Sequence, residues 1–335
     1  MTVITYKIKN IALLIATIWI FCAFLINSEL VAKKGIEAMS LCFFRIIPSI
    51  FPFMVLSSFL LKTGLLNHIF SRNKFLNIVI VSWLSGFLVG PKYLSELNSQ
   101  NDFTDASVLL SNAGVGFVIS YIGFTLWSNP IFGVYLYVIQ IVSSVLIYML
   151  SNKERIAFRY EEKEKKAFFT EFCSSVQDST QAMLGICGFT VFFSILKEIL
   201  SNALNWNNGI FHAIFSAFFE ISSGAYSSIS CKNPCVGAFL IGFTVGFGGL
   251  CMCMQTFSCA PYINKRKFLL KKLIQGLMCG LLSYIFAYFS NIESVESVVF
   301  ITKNNFEVIN VVVSSIFLFS SINFFKKALK NIDFL

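Results

Sequence analysis

The stretch His212-Ala213-Ile214-Phe215-Ser216-Ala217-Phe218-Phe219 is almost wholly apolar, and it runs straight into Glu220-Ile221-Ser222-Ser223-Gly224. A carboxyl group at that point is expensive in hydrocarbon unless it is paired or protonated. A helix interrupted inside a bilayer also leaves backbone N–H and C=O groups without partners, at several kcal/mol each on the general scale. Such interruptions survive where they line a cavity inside the protein. Three other stretches carry the same defect: Ser85-Gly86-Phe87-Leu88-Val89-Gly90-Pro91-Lys92, Ser111-Asn112-Ala113-Gly114-Val115-Gly116, and Gly246-Phe247-Gly248-Gly249-Leu250 running on to Gln255.

Composition makes a membrane the setting for these defects. The chain has 335 residues, of which 56% are hydrophobic and 13% charged, with a mean hydropathy of +0.74. An ordinary soluble domain carries about a quarter charged residues. Thirty-nine phenylalanines exceed what a single soluble core hides from water. The length accommodates one membrane domain of roughly eight to ten helical passes at ~20 residues each, and leaves no room for a separate soluble enzyme.

The apolar runs cover residues 10–27, 36–61, 75–90, 106–127 and 131–150, then 172–200, 209–226, 236–257, 268–289 and 308–325. The first follows Lys7 and Lys9 and continues into Ser28-Glu29-Leu30 without a small-residue cleavage site, so it reads as an uncleaved helix. The second contains Glu37, Arg45, Pro48 and Pro52, the pattern of an interfacial helix that becomes a kinked span, with Arg45 snorkelling. A mixed-charge stretch, 151–171, divides the chain. The expected units are an N-terminal helix (1–35), a first repeat (36–150), a cytoplasmic linker (151–171), a second repeat (172–289), and a C-terminal helix with a basic tail (290–335). Sliding one half over the other by roughly 134 residues brings Gly90 onto Gly224 and Gly114 onto Gly248, the weak internal symmetry of transporter repeats.

The net charge of +9 reports orientation rather than a nucleic-acid partner, because the basic residues cluster between apolar runs instead of along an exposed face. Lys326, Lys327 and Lys330 put the C-terminus inside, against anionic lipid; Lys265 to Lys267 with Lys271 and Lys272 put the start of the preceding span inside; Glu293, Glu296 and Glu307 suit an outer loop. With the linker also inside, each defective pair makes one net crossing. The expectation is an all-α polytopic plasma-membrane protein: ten apolar segments, about eight net crossings, two inverted repeats, and both termini cytoplasmic. Lys33 and Lys34, placed outside, run against this scheme.

The candidate solute-binding residues come from the four stretches: Gly86, Gly90, Lys92, Ser111, Asn112, Glu220, Ser222, Ser223, Gly224, Gly246, Gly248, Gly249 and Gln255. Each has a plainer alternative. Gly246, Gly248 and Gly249, with Gly242, also suit a helix-packing seam, and Asn112 and Gln255 suit interhelical hydrogen bonds. Glu220 is either a pocket acid or a paired structural charge. Lys92 is either its partner or a snorkelling end residue. The ten cysteines lie mostly within apolar runs and lack zinc spacing, so packing is expected and neither metal nor cofactor. There is no P-loop, no H-E-x-x-H and no G-x-S-x-G, and the paired serines have no nearby histidine; the chain is not expected to be an enzyme.

At these stretches the chain resembles the nucleoside-recognition (Gate) domain membrane proteins, and within them the YlbJ-type sporulation integral membrane protein family. The likeness runs over about residues 36–289. The family's F-E-[IL]-[TS]-x-G appears as Phe219 to Gly224, and its G-F-[SG]-G-[LI] with a following glutamine as Gly246 to Leu250 and Gln255. Its G-F-P-[SA]-G-[AS]-K is kept at Gly86, Phe87, Gly90 and Lys92, with Leu88, Val89 and Pro91 differing; its S-N-x-x-N-P is kept at Ser111 and Asn112, with Val115 and Gly116 differing. The resemblance implies a multi-pass, transporter-like protein of spore-forming cells. The functional expectation is a permease for a small polar solute, nucleoside-like in the family's name; the alternative is a non-transporting scaffold for spore-envelope assembly.

Overall fold

The computed structural model of the chain describes residues 2–65, 74–97, 102–151, 167–206 and 209–290. Among the described residues every regular element is helical. Five segments are long and apolar enough to cross a membrane: Ser28–Thr63, Pro130–Met149, Phe168–Ala203, Pro234–Cys259 and Lys265–Phe289. The protein is an all-α chain of membrane type, and Met1–Ser294 form one compact unit. The expected last helix (308–325), the basic tail and most of the linker lie outside the described residues.

Helix α1 (Thr2–Ile26) meets α2 (Ser28–Leu41) at Asn27. Helix α2 passes through a π-turn (Cys42–Ile46) into α3 (Ile47–Thr63), so the expected kink takes the form of a widened turn. Pro48 accounts for it: a proline ring crowds the carbonyl four residues back, here within that turn, and offers no N–H to it. Arg45 sits exposed in the turn. The stretch around Lys33 and Lys34, expected as an outer loop and discordant in charge, is helical instead. Lys34 Nζ lies 2.9 Å from Glu37 and 3.7 Å from Glu198, so its charge is compensated locally.

The rest of the first half is α4 (Lys74–Ser85), α5 (Val89–Leu97), α6 (Thr104–Leu110), a π-helix (Gly116–Leu126) and α7 (Pro130–Met149). The second half is α8 (Phe168–Ala203), α9 (Gly209–Phe219), α10 (Ile221–Ile229), α11 (Pro234–Phe247), α12 (Gly249–Cys259) and α13 (Lys265–Phe289). Three of these helices start on an asparagine cap: Asn129, Asn233 and Asn264 accept from the N–H groups of Phe132, Cys235 and Lys267. The first two are followed by a proline whose missing N–H is one the helix start does not use.

Long helices flank the broken ones. Helix α13 packs along α11, with Gly242, Gly246, Gly276 and Gly280 each meeting a residue of the facing helix. The opposite face of α13 exposes Leu270, Ile274, Leu277, Leu281 and Ile285, while Lys272, Gln275, Cys279 and Ser283 point inward. That reversal, polar inside and apolar outside, is what a lipid solvent selects.

Candidate functional site

All four suspect stretches are places where a helix stops and restarts. Helix α4 ends at Ser85, Gly86 takes φ +103°, and α5 begins at Val89. Between α6 and the π-helix, residues 111–114 are irregular. Glu220 is extended (φ −149°, ψ 133°) between α9 and α10. Gly248 and Gly249, at φ +84° and +78°, separate α11 from α12.

The breaks meet in pairs. A Cβ on Gly86 would lie 3.0 Å from the backbone N of Gly114, and one on Gly249 would lie 3.0 Å from both the N of Glu220 and the carbonyl O of Phe219. Positive φ and backbone-to-backbone contact together demand glycine at these two positions.

Between the pairs lies a cavity of about 50 Å³. Ser85, Gly86, Phe87 and Leu88 line it from the first break, Gly114 from the second, Glu220 and Ser222 from the third, and Cys251, Met252 and Gln255 from the helix after the fourth. Ile46, Ile50 and Met54 on the α3 side and Ile186 and Thr190 of α8 close it. Glu220, 1% exposed, caps α10: its Oε1 accepts from the N–H of Ser222 at 2.8 Å and its Oε2 from that of Ser223 at 2.6 Å. Ser222 Oγ is buried in the cavity wall and finds no hydrogen-bond partner.

The second break is held differently, by side chains of α7 and α13. Gln140 makes a two-way pair with Ala113, accepting from its N–H at 3.2 Å and donating to its C=O at 2.8 Å. Asn112 Nδ2 donates to the carbonyl of Leu109 and to Ser144 Oγ, and its Oδ1 accepts from Gln275 Nε2 at 2.8 Å. Lys272, fully buried, donates to the carbonyl of Ser111 at 2.7 Å and to Gln275 Oε1 at 2.8 Å. The groups freed by this interruption are therefore partnered within the protein.

Of the thirteen sequence candidates, Gly86, Glu220, Ser222 and Gln255 line the cavity. Ser223 supplies the second capping N–H to Glu220, and Gly249 backs that residue. Gly248 forms the fourth break beside Phe87, while Ser111 and Asn112 belong to the polar bracket around the second. Gly90 packs against Ser82 and Leu110, Gly224 against Ala217 and Thr244, and Gly246 in the seam with α13, all behind the lining. Lys92 is half-buried, and no ion pair joins it to Glu220; the partners of Glu220 are backbone N–H groups. Sequence reading missed Lys272, Gln275, Gln140 and Ser144. The stripe Lys272, Gln275, Gly276, Cys279, Gly280, Ser283 recurs at helical spacing through an apolar run and was the available signal for the first two. No protein-family model matches the chain, and no curated protein and no solved structure is significantly similar to it.

Proposed function

We propose that the protein is a membrane permease for a small polar solute, working by alternating access around the cavity where its four broken helices meet. The convergence of the breaks carries this reading. Interrupted helices are costly in a membrane, and the residues lining this cavity come from or closely follow all four breaks, with the Ser222 hydroxyl left without a partner, an arrangement that a packing role does not require. Glu220, Ser222, Ser85, Thr190 and Gln255 are polar residues in the lining that a solute can meet. The space corresponds to only a few waters at ~10–15 Å³ each. A solute as large as a nucleoside enters only when the paired breaks separate.

Two inverted repeats and about eight net crossings belong to the same proposal. In its support, the spacing from Gly86 to Gly114 equals that from Glu220 to Gly248, and both pairs of breaks are in contact. Membership of the nucleoside-recognition (Gate) group and a role in sporulation are proposed on the motifs alone, and those motifs are the stretches at which the helices break. The deciding experiment is a solute-uptake screen in proteoliposomes, with and without a proton gradient. Uptake of a polar solute that Glu220→Gln abolishes at unchanged protein level is the expected result. Full function in that variant, with sensitivity instead in the 151–171 linker, replaces the permease with the scaffold.

A further inference from the structure

Four acidic or basic side chains are buried among the described residues: Asp105, Lys197, Glu220 and Lys272. Two have counter-ions. Asp105 lies 2.9 Å from Lys267 and 2.6 Å from Lys271, and Lys197 lies 3.4 Å from Glu198. Glu220 and Lys272 have none within ion-pair distance. Each rests on the end of a broken helix instead, Glu220 on the N–H groups of α10 and Lys272 on the Ser111 carbonyl just past α6. A helix end supplies roughly half a charge, so about half of each remains uncompensated.

Phe87 borders the surroundings of both groups. Its side of the first break lines the cavity that Glu220 faces, and its ring centroid lies 5.8 Å from Lys272 Nζ, which is outside that lining. An ammonium has three N–H donors. Two of them go to Ser111 and Gln275, and the Phe87 ring lies within cation–π distance of the ammonium. Phe87 sits in the turn between two helices, and Gly248 beside it is bare backbone: a Cβ there would lie 3.3 Å from Cε1 of the ring. The Met252 methyl, close to where a Gly248 Cβ would stand, fills the space beside the ring, so Phe87 turns aside only as the flexible Met252 side chain moves with it.

We propose that Lys272 is a second solute-binding residue, uncovered when Phe87 turns aside, and that the solute is a small zwitterion whose ammonium meets Glu220 and whose carboxylate meets Lys272. This rests on the permease reading. The argument is charge balance in a medium that penalises net charge. Glu220 and Lys272 are one acid and one base, so a solute carrying one ammonium and one carboxylate adds no net charge and offers each a partner of the opposite kind. A simple anion or cation leaves a unit of charge behind.

The test is counterflow into proteoliposomes holding the full chain, with alanine, propionate, ethylamine and glycerol as probes. Propionate is alanine without its ammonium, and ethylamine is alanine without its carboxylate. Labelled alanine is expected to exchange, with propionate and ethylamine failing to compete at the same concentration. Lys272→Gln is expected to lower alanine exchange at least tenfold, and Lys267→Gln to leave it unchanged. Phe87→Trp keeps both hydrogen bonds of Lys272 but fills the passage, so it carries the test should Lys272→Gln fail to fold; it is expected to abolish exchange in protein that still reconstitutes folded. Wild-type exchange in Phe87→Trp or in folded Lys272→Gln overturns the proposal. So does exchange of propionate, ethylamine or glycerol without alanine, which leaves the permease standing. Exchange of no solute in this or the wider screen removes both.

Discussion

Substituting alanine for Gly249 tests whether the third and fourth breaks touch. Two penalties act there. The residue sits at φ +78°, a conformation that costs an L-residue roughly 1–2 kcal/mol. Its new Cβ would also lie 3.0 Å from Glu220 N and Phe219 O and 3.1 Å from Glu220 Cα, all backbone atoms that cannot swing away. Overpacking of that kind costs about 1–3 kcal/mol, so Gly249→Ala is expected to destabilise by about 2–5 kcal/mol. The internal reference is Gly188, an exposed glycine within α8 where a Cβ meets nothing within 4 Å. There alanine removes a helix penalty and is expected to stabilise by about 0.5–1 kcal/mol. Equilibrium unfolding of both variants in mixed micelles of dodecyl maltoside and SDS reads the difference. Opposite signs support the geometry; a Gly249→Ala variant within about 0.5 kcal/mol of wild type refutes it, since that is the range of an inconsequential substitution.

Other variants probe the remaining features. Gln140→Leu orphans the N–H and C=O of Ala113 and is expected to cost about 2–6 kcal/mol at about 1–3 per unpaired group, with a double-mutant cycle against Asn112→Ala showing coupling between these adjacent supports of the second break. Lys62 and Asp178, 2.6 Å apart but partly exposed, should contribute under about 1 kcal/mol by the same unfolding measurement on Lys62→Ala, and a larger loss would mean that the pair is shielded from solvent in the membrane. Single cysteines at positions 265 and 293 in a cysteine-free background should react with an impermeant thiol reagent from opposite sides of the membrane; labelling from one side breaks the inverted-repeat scheme.

The positions of the breaks were legible because an apolar run has few ways to hold glycine, serine and an acid, and those residues fell where the helices stop. The apolar runs placed span starts at 131, 236 and 268, within three residues of Pro130, Pro234 and Lys265, and the asparagine caps before them went unread. The partners of the breaks were not legible. Gln140 reads in sequence as one polar residue in an apolar helix, and only the fold brings it to Ala113. Lys272 was hidden by its neighbours: in a run with Lys265, Arg266, Lys267 and Lys271 it reads as an orientation signal. One residue further along a helix is a turn of about 100°, enough to carry Lys272 from the ion-paired side of α13 to the interior. Conversely, Lys92 was a natural guess for the partner of Glu220 because sequence shows opposite charges and not the N–H groups of a helix start.

The fragmentation of these helices also constrains how the protein enters a membrane. Helices α5, α6, α10 and α12 have 9, 7, 9 and 11 residues, against the ~20 that a self-sufficient span requires. None of them is recognised for insertion by its own length. The polar ends at the second break wait for partners made much later, since the lysine that takes the Ser111 carbonyl lies 161 residues further along the chain. Until α13 arrives, that carbonyl must stay hydrated. The first half can be threaded early but cannot be sealed from water early, so an amino-terminal fragment containing only that half should remain a wet, unfinished intermediate.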